Sequence, residues 1–330
     1  MKRWHVVIIV LLLAACGWLV VTHPPGTRDI GQMPVAVLPS VSPTSSPKSA
    51  TLLFAGDIML SRSVGDFMAA HNDWVWPFAD IASVTRSADI AFANLETTVS
   101  TRGTKNGCGF CFRSDPRAMS GLVFAGFDVL SVANNHTWDY GPQAFADTLQ
   151  YLATDDISAV GGGRTVAEAR APVILTAGDA RVAFLAYTNL LPASAAATAT
   201  GPGVNLYDPV RMNEDIAHAR TLADIVVVSF HGGTEYMTTH TTEQEQIYQT
   251  AIDDGADLVV GTHPHVVEEL QKYDRGWIAY SLGNFVFDQT FSDATEHGAL
   301  LRVTVQGKHI TDAHLEPVVI SKQYQVSVPK

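Results

Sequence analysis

The sequence predicts an α/β fold, and three observations predict it. Short apolar runs of strand length recur at 51–55, 88–93, 127–133, 224–230 and 258–260. Segments with helical spacing separate most of them, the alternation that builds open α/β sheets. Each run also stops at a group of acid, amide or imidazole side chains, and α/β sheets gather their sites at the carboxyl ends of their strands.

The 330 residues suffice for one large α/β domain or two small ones, and an apolar content of 47% supplies a sizeable core. Lysine plus arginine number 21 against 33 acidic residues, a formal net charge of −12. That balance excludes a general nucleic-acid binder, which needs a basic face. Three cysteines are too few for a disulfide-built scaffold.

Lys2 and Arg3 precede a continuous apolar run from Val6 to Val21, so residues 1–22 read as a targeting or anchoring segment. Two readings fit. The run is slightly short of a span of about 20 residues, and Trp4 and His5 extend it to a signal anchor. Alternatively, Leu13-Ala14-Ala15-Cys16 resembles a bacterial lipobox, with cleavage before Cys16 and a lipid on its sulfur. The apolar Trp18-Leu19-Val20-Val21 favours the anchor. In both readings the positive residues stay inside and the remaining chain lies on the extracytoplasmic face of the membrane. Residues 23–50 are rich in Pro, Ser and Thr and read as an extended linker, leaving 51–330 as the folded domain.

The run 51–55 is the first strand and delivers Gly56 and Asp57. Asp57 suits a metal ligand there, or a cap for the helix that starts near Ser61. Arg62 suits an anionic substrate, although alone it reads as a solvated helix charge. The strand at 88–93 runs into Asn94-Leu95-Glu96, where Asn94 and Glu96 face one side. Cys108 and Cys111 form a single CxxC, too few for a four-cysteine zinc site. Outside the cell a local disulfide is the favoured reading. Residues 116–126 read as a helix that Gly126 ends. The strand at 127–133 then delivers Asn134, Asn135, His136 and Asp139. Asn135 suits metal ligation and His136 proton transfer or charge stabilisation; an Asn-rich turn with a hydrogen-bonded histidine is the plainer alternative.

A helix at 142–154 leads to Gly161-Gly162-Gly163-Arg164, which lacks the Lys-Ser/Thr of a phosphate loop. Residues 173–176 and 182–187 form a hairpin around Gly178-Asp179. The Ala/Thr-rich stretch 192–203 reads as a mobile loop near the site. A helix at 208–222 precedes the β-branched central strand 224–230, which delivers His231 and then Gly232-Gly233-Thr234-Glu235. A helix at 243–254 precedes the strand ending in Gly261-Thr262-His263-Pro264-His265. Neutral imidazole is the commonest metal ligand. A strand at 277–280 is followed by Ser281-Leu282-Gly283-Asn284, and 299–305 and 315–328 alternate like edge strands.

Asp57, Asn94, Glu96, Asn135, His136, His231, His263 and His265 thus all stand just past strand runs, which places them on one rim of a sheet. Imidazole, carboxylate and amide together suit zinc, manganese or iron, not calcium. This many ligands can hold one or two divalent ions, and a two-metal site clamps the attacking and leaving oxygens of a displacement. The chemistry indicated is hydrolysis, most naturally of a phosphoester.

Six motifs then occur in order: Gly56–Met59 with Arg62, Asn94–Glu96, Asn134–Gly141, His231–Tyr236, Gly261–Val266 and Tyr280–Phe285. Together they resemble the CapA family of poly-γ-glutamate capsule biosynthesis, related to calcineurin-like metallophosphatases. The resemblance implies a four-layer αββα metallophosphatase-like sandwich and a role in making or exporting poly-γ-glutamate or a related envelope polymer alongside membrane-embedded synthase subunits. It implies metal ligands at Asp57, Glu96, Asn135, His231, His263 and His265. It implies catalytic roles for His136 and Arg62, and substrate contacts at Asn94, Glu235 and Asn284. One departure stands out: metallophosphatases usually open with Asp-x-His, and here Met59 takes the second ligand position. That weakens one metal site, and a membrane-anchored accessory subunit that binds polymer or synthase without turnover is the competing reading.

Overall fold

The computed structural model describes residues 47–329. The apolar run, Cys16 and the linker up to residue 46 lie outside them. Strand β1 (Ser49–Ile58) begins inside the expected linker. Ser49 and Ala50 pair with Gln306 and Val305, so they belong to the sheet. Beside β1 run, in parallel, β2 (Ile90–Leu95), β3 (Val129–Ser131) and β4 (Ser158–Val160).

A second sheet follows. The expected hairpin is β5 (Val173–Ala177) and β6 (Ala180–Thr188), closed at Gly178-Asp179 with Gly178 at φ +61°. Strands β7 (Ile225–His231), β8 (Leu258–Thr262), β9 (Leu270–Tyr273) and β10 (Gly276–Ala279) complete it in the order β9-β10-β8-β7-β6-β5. The chain then returns to the first sheet through β11 (Asn284–Val286), β12 (His297–Gln306), β13 (His309–Ile320) and β14 (Val326–Ser327). Its order is β14-β13-β12-β1-β2-β3-β4, with β11 also on β1. Of the tail strands only β14 is an edge; β12 lies against β1, so its alternation reflects two unlike faces rather than an edge.

Side chains alternate across a strand, and the second sheet shows why its strands are continuously apolar. Val182, Phe184, Val227, Leu258 and Val260 enter the core shared with the first sheet. Ala183, Leu185, Val226, Val228 and Val259 enter a second core instead. Phe184 stacks on Phe92 at 5.8 Å across the sheet-to-sheet interface. Helices α1 (Arg62–His71), α2 (Met119–Ala125) and α3 (Gly141–Thr154) bury their apolar faces in the first core. Helices α4 (Pro209–Leu222) and α5 (Thr242–Asp254) cover the second sheet through Met212, Ile216, Tyr248 and Ile252. Asp208 caps α4, and Thr241 with Gln244 forms a capping box on α5. Helix, sheet, sheet and helix are the four layers.

One expectation changes. The rim that carries the site belongs to two sheets, not one, because β1, β2 and β3 lie in the first and β7 and β8 in the second. The stretch 192–203 makes contacts that composition does not reveal. It holds a short helical turn with Ala195 buried, Thr198 accepts the Val166 N–H, and Gly203 pairs with Gly163. Among the described residues no helix is long and apolar enough to cross a membrane.

Candidate metal centre

The carboxyl ends of β1, β2, β7 and β8 meet. Asp57 is reached because Gly56 lets β1 pass close to the β11 entry; a Cβ there would overlap the Gly283 carbonyl oxygen. Asp57 is fully buried. Its Oδ1 accepts from Asn94 Nδ2 at 2.8 Å, and its Oδ2 accepts the His263 N–H at 3.1 Å. Glu96 leaves β2 with its N–H donated to Ile58. His231 ends β7 with Nε2 2.9 Å from Asn135 Oδ1, and Nδ1 3.0 Å from Thr262 Oγ1. His263 and His265 follow β8 in left-handed backbone, φ +101° and +60°, a conformation that persists only where the surroundings fix it. Asn284 Oδ1 meets His265 Nδ1 at 2.9 Å.

Two groups of ligand atoms result, each within 4.8 Å of one another: Asp57, Glu96 and His231, and Glu235, His263 and His265. Burial lowers His231 well below the ordinary imidazole range, helped by neighbouring His263. It brings His263 down to about 4, helped by His265. Neutral imidazoles are the metal-binding form. Burial alone pushes the Asp57 carboxyl up, but His265, His231 and Asn94 together hold it at about 2. Glu96 is pushed the other way, well above the carboxylate range, by burial and by the Asp57 charge. Both Glu96 oxygens are fully buried without a hydrogen-bond partner, and so is His263 Nδ1. Unpaired buried polar atoms of this kind cost several kcal/mol at the order-of-magnitude level. A divalent cation among these atoms would remove the cost, so the residues present fit one.

The structure gathers Asp57, Glu96, Asn135, His231, His263 and His265, and Glu235, expected to touch substrate, stands with His263 and His265 in a group that could hold an ion. Asn94 and Asn284, expected to touch substrate, are instead fully buried. Asn94 joins Asp57, His231 and Asn134, and Asn284 joins His265, Gln289 and the Thr295 carbonyl. Met59, at the usual second ligand position, has its sulfur taken by the Ser61 N–H and hydroxyl.

His136 stands at the edge of the centre, its Nε2 3.8 Å from Glu96 Oε1 and its ring stacked on Phe112. Arg62 lines a 260 Å³ cavity with His136, Glu235 and His265. Its guanidinium is paired with Asp288 at 3.1 Å. Cys108 and Cys111 are joined as a disulfide. Two pairings are not read from the sequence, that of Asp139 with His136 and that of Asp288 with Arg62. Asp139 lies three residues after His136, and that spacing was the available signal; Asp288 gave none.

The family model for the bacterial capsule synthesis protein PGA_cap matches residues 51–289. The chain belongs to this family. The capsule biosynthesis protein CapA of Bacillus anthracis is 33% identical over 261 residues, covering 76% of this chain. That alignment spans 63% of the relative's own length, a little under two thirds. The PGA biosynthesis protein CapA of Bacillus subtilis is 31% identical, covering 84% of this chain and 73% of its own. A phosphatase of Mycoplasma pneumoniae shares the fold at a TM-score of 0.51 and 15% identity, over 83% of this chain and 94% of that one. This PGA_cap member thus shares its four-layer fold with that phosphatase.

Proposed function

We propose that this chain is a membrane-tethered, extracytoplasmic, metal-dependent hydrolase of phosphoester-like bonds that serves poly-γ-glutamate capsule biosynthesis or export. One observation carries the hydrolase reading: the Glu96 side chain, fully buried with neither oxygen hydrogen-bonded, faces His231 and His265 at the shared rim of two sheets. Manganese, zinc or iron, when bound, supplies positive charge and Lewis acidity at the reacting phosphoryl group. Asp57, Glu96 and His231 would hold one ion, and Glu235, His263 and His265 a second; Asn135 stands by His231 as an additional oxygen ligand. His136, with Nδ1 fixed by Asp139, holds a proton at Nε2 for the departing oxygen. Arg62, on the cavity wall, orients the anion.

The polymer and the partners come from the relatives, which are named for capsule and PGA biosynthesis. We assign poly-γ-glutamate or a similar envelope polymer, and membrane-embedded synthase subunits, as what the chain works with. The N-terminal apolar run, as a signal anchor or with a lipid on Cys16, is the tether.

A second reading, a non-catalytic accessory subunit, is favoured by Met59, whose engaged sulfur replaces a ligand. A Mycobacterium tuberculosis relative, 28% identical, is named a probable polyglutamine synthesis accessory protein. Hydrolysis of an activated phosphodiester with Mn²⁺ or Zn²⁺ decides between them. The hydrolase reading expects turnover that His263→Ala abolishes. The accessory reading expects no turnover, with partner capture surviving in the same variant.

A further inference from the structure

The cavity over the centre is walled by aromatic side chains that nothing in the metal chemistry requires. Phe110 is 74% exposed, Phe291 65% and Tyr236 43%, and all three line the 260 Å³ space above His265 and His136. Exposed aromatic groups cost free energy in water, and a cluster of them around one concavity marks a binding surface.

Each is held in place. Phe110 sits inside the Cys108–Cys111 loop. That loop is pinned to Asp139, which accepts the Asn106 N–H on its carbonyl and the Phe112 N–H on its carboxylate. The Arg62 guanidinium bridges the rings of Phe110 at 5.5 Å and Phe112 at 5.3 Å. Tyr236, in left-handed backbone, donates its N–H to Pro264, accepts from Gln289 at its hydroxyl, and meets Phe291 edge to face at 5.1 Å. Ring faces held this way suit a flat partner.

We propose that Phe110, Tyr236 and Phe291 form a second subsite, which grips a flat unsaturated group attached to the anion at the metal centre. The disulfide loop is the device that holds Phe110 over that group. The inference rests on the phosphoester reading of the centre and adds the class of group that the substrate carries.

The test is calorimetric titration of the full-length, Mn²⁺-loaded chain with phenylphosphonate and with methylphosphonate. Phenylphosphonate should bind about tenfold more tightly or better. Phe110→Ala and Phe291→Ala should each bring the ratio to within about threefold, with methylphosphonate affinity and metal content unchanged. Phe110→Tyr should keep the preference. Equal affinities in the unaltered chain, or a preference that survives both alanine variants, overturn the subsite alone. A metal-loaded chain that binds neither phosphonate overturns the subsite and the phosphoester reading together.

Discussion

His136 Nδ1 and Asp139 Oδ2 lie 2.7 Å apart, and the same carboxylate oxygen accepts the Phe112 N–H at 2.7 Å. An imidazole that donates from Nδ1 to a carboxylate has a fixed ring, and the other nitrogen points where the ring points. Here that is toward Glu96, 3.8 Å away. His136→Ala should lower phosphodiester turnover about 10²–10⁴-fold, the range of a lost proton donor. Asp139→Asn should lower it about 10–100-fold. Metal content, measured in parallel, should not change in either variant.

The two ligand groups differ in exposure. Asp57, Glu96 and His231 are all buried, whereas Glu235 is exposed beside His263 and His265. An exposed carboxylate stays hydrated when the ion leaves, so its group binds more weakly. Glu235→Ala should therefore remove one ion of weaker affinity, by about 10–100-fold in its dissociation constant, and spare the tighter one. Equilibrium dialysis with Mn²⁺ counts both.

The buried imidazoles tie stability to pH in the metal-free chain. His263 has a folded pKa of about 4 against an ordinary 6.5, so folding favours its neutral form. Its contribution is complete above about 6.5 and is lost as pH falls toward 4. His231 adds in the same direction. Glu96, raised by burial, works the opposite way and costs stability as pH rises. His263→Gln isolates the first effect: melting temperatures of variant and parent, after chelation, should converge as pH is lowered from 7 to 4.

Gly261 has no room for a side chain. A Cβ would overlap the Tyr280 carbonyl oxygen and come within 2.8 Å of the Tyr248 hydroxyl. Backbone on a packed strand cannot give way, so Gly261→Ala should cost about 1–3 kcal/mol in urea unfolding. Metal affinity should also fall, because His263 lies two residues on.

The strand ends were legible because each apolar run stops abruptly at polar side chains, as at Val260 before His263 and His265 or Phe230 before His231. Which sheet a run joins was not legible, since a strand buried on both faces carries no mark of its neighbours. An amide at a site rim looks like a substrate contact, as at Asn94 and Asn284, whereas their full burial is a tertiary fact. Asp288 was missed for the same reason, as it meets Arg62 from 226 positions away along the chain. The Asp139 pairing, by contrast, is local and could be read from its spacing to His136.

The most direct test is elemental analysis of the full-length chain beside its His263→Ala/His265→Ala variant, with circular dichroism confirming that both are folded. Stoichiometric manganese, zinc or iron is expected in the parent, reduced about tenfold or more in the variant. A parent that holds no transition metal, even after loading with Mn²⁺ or Zn²⁺, would contradict a metal centre at these strand ends.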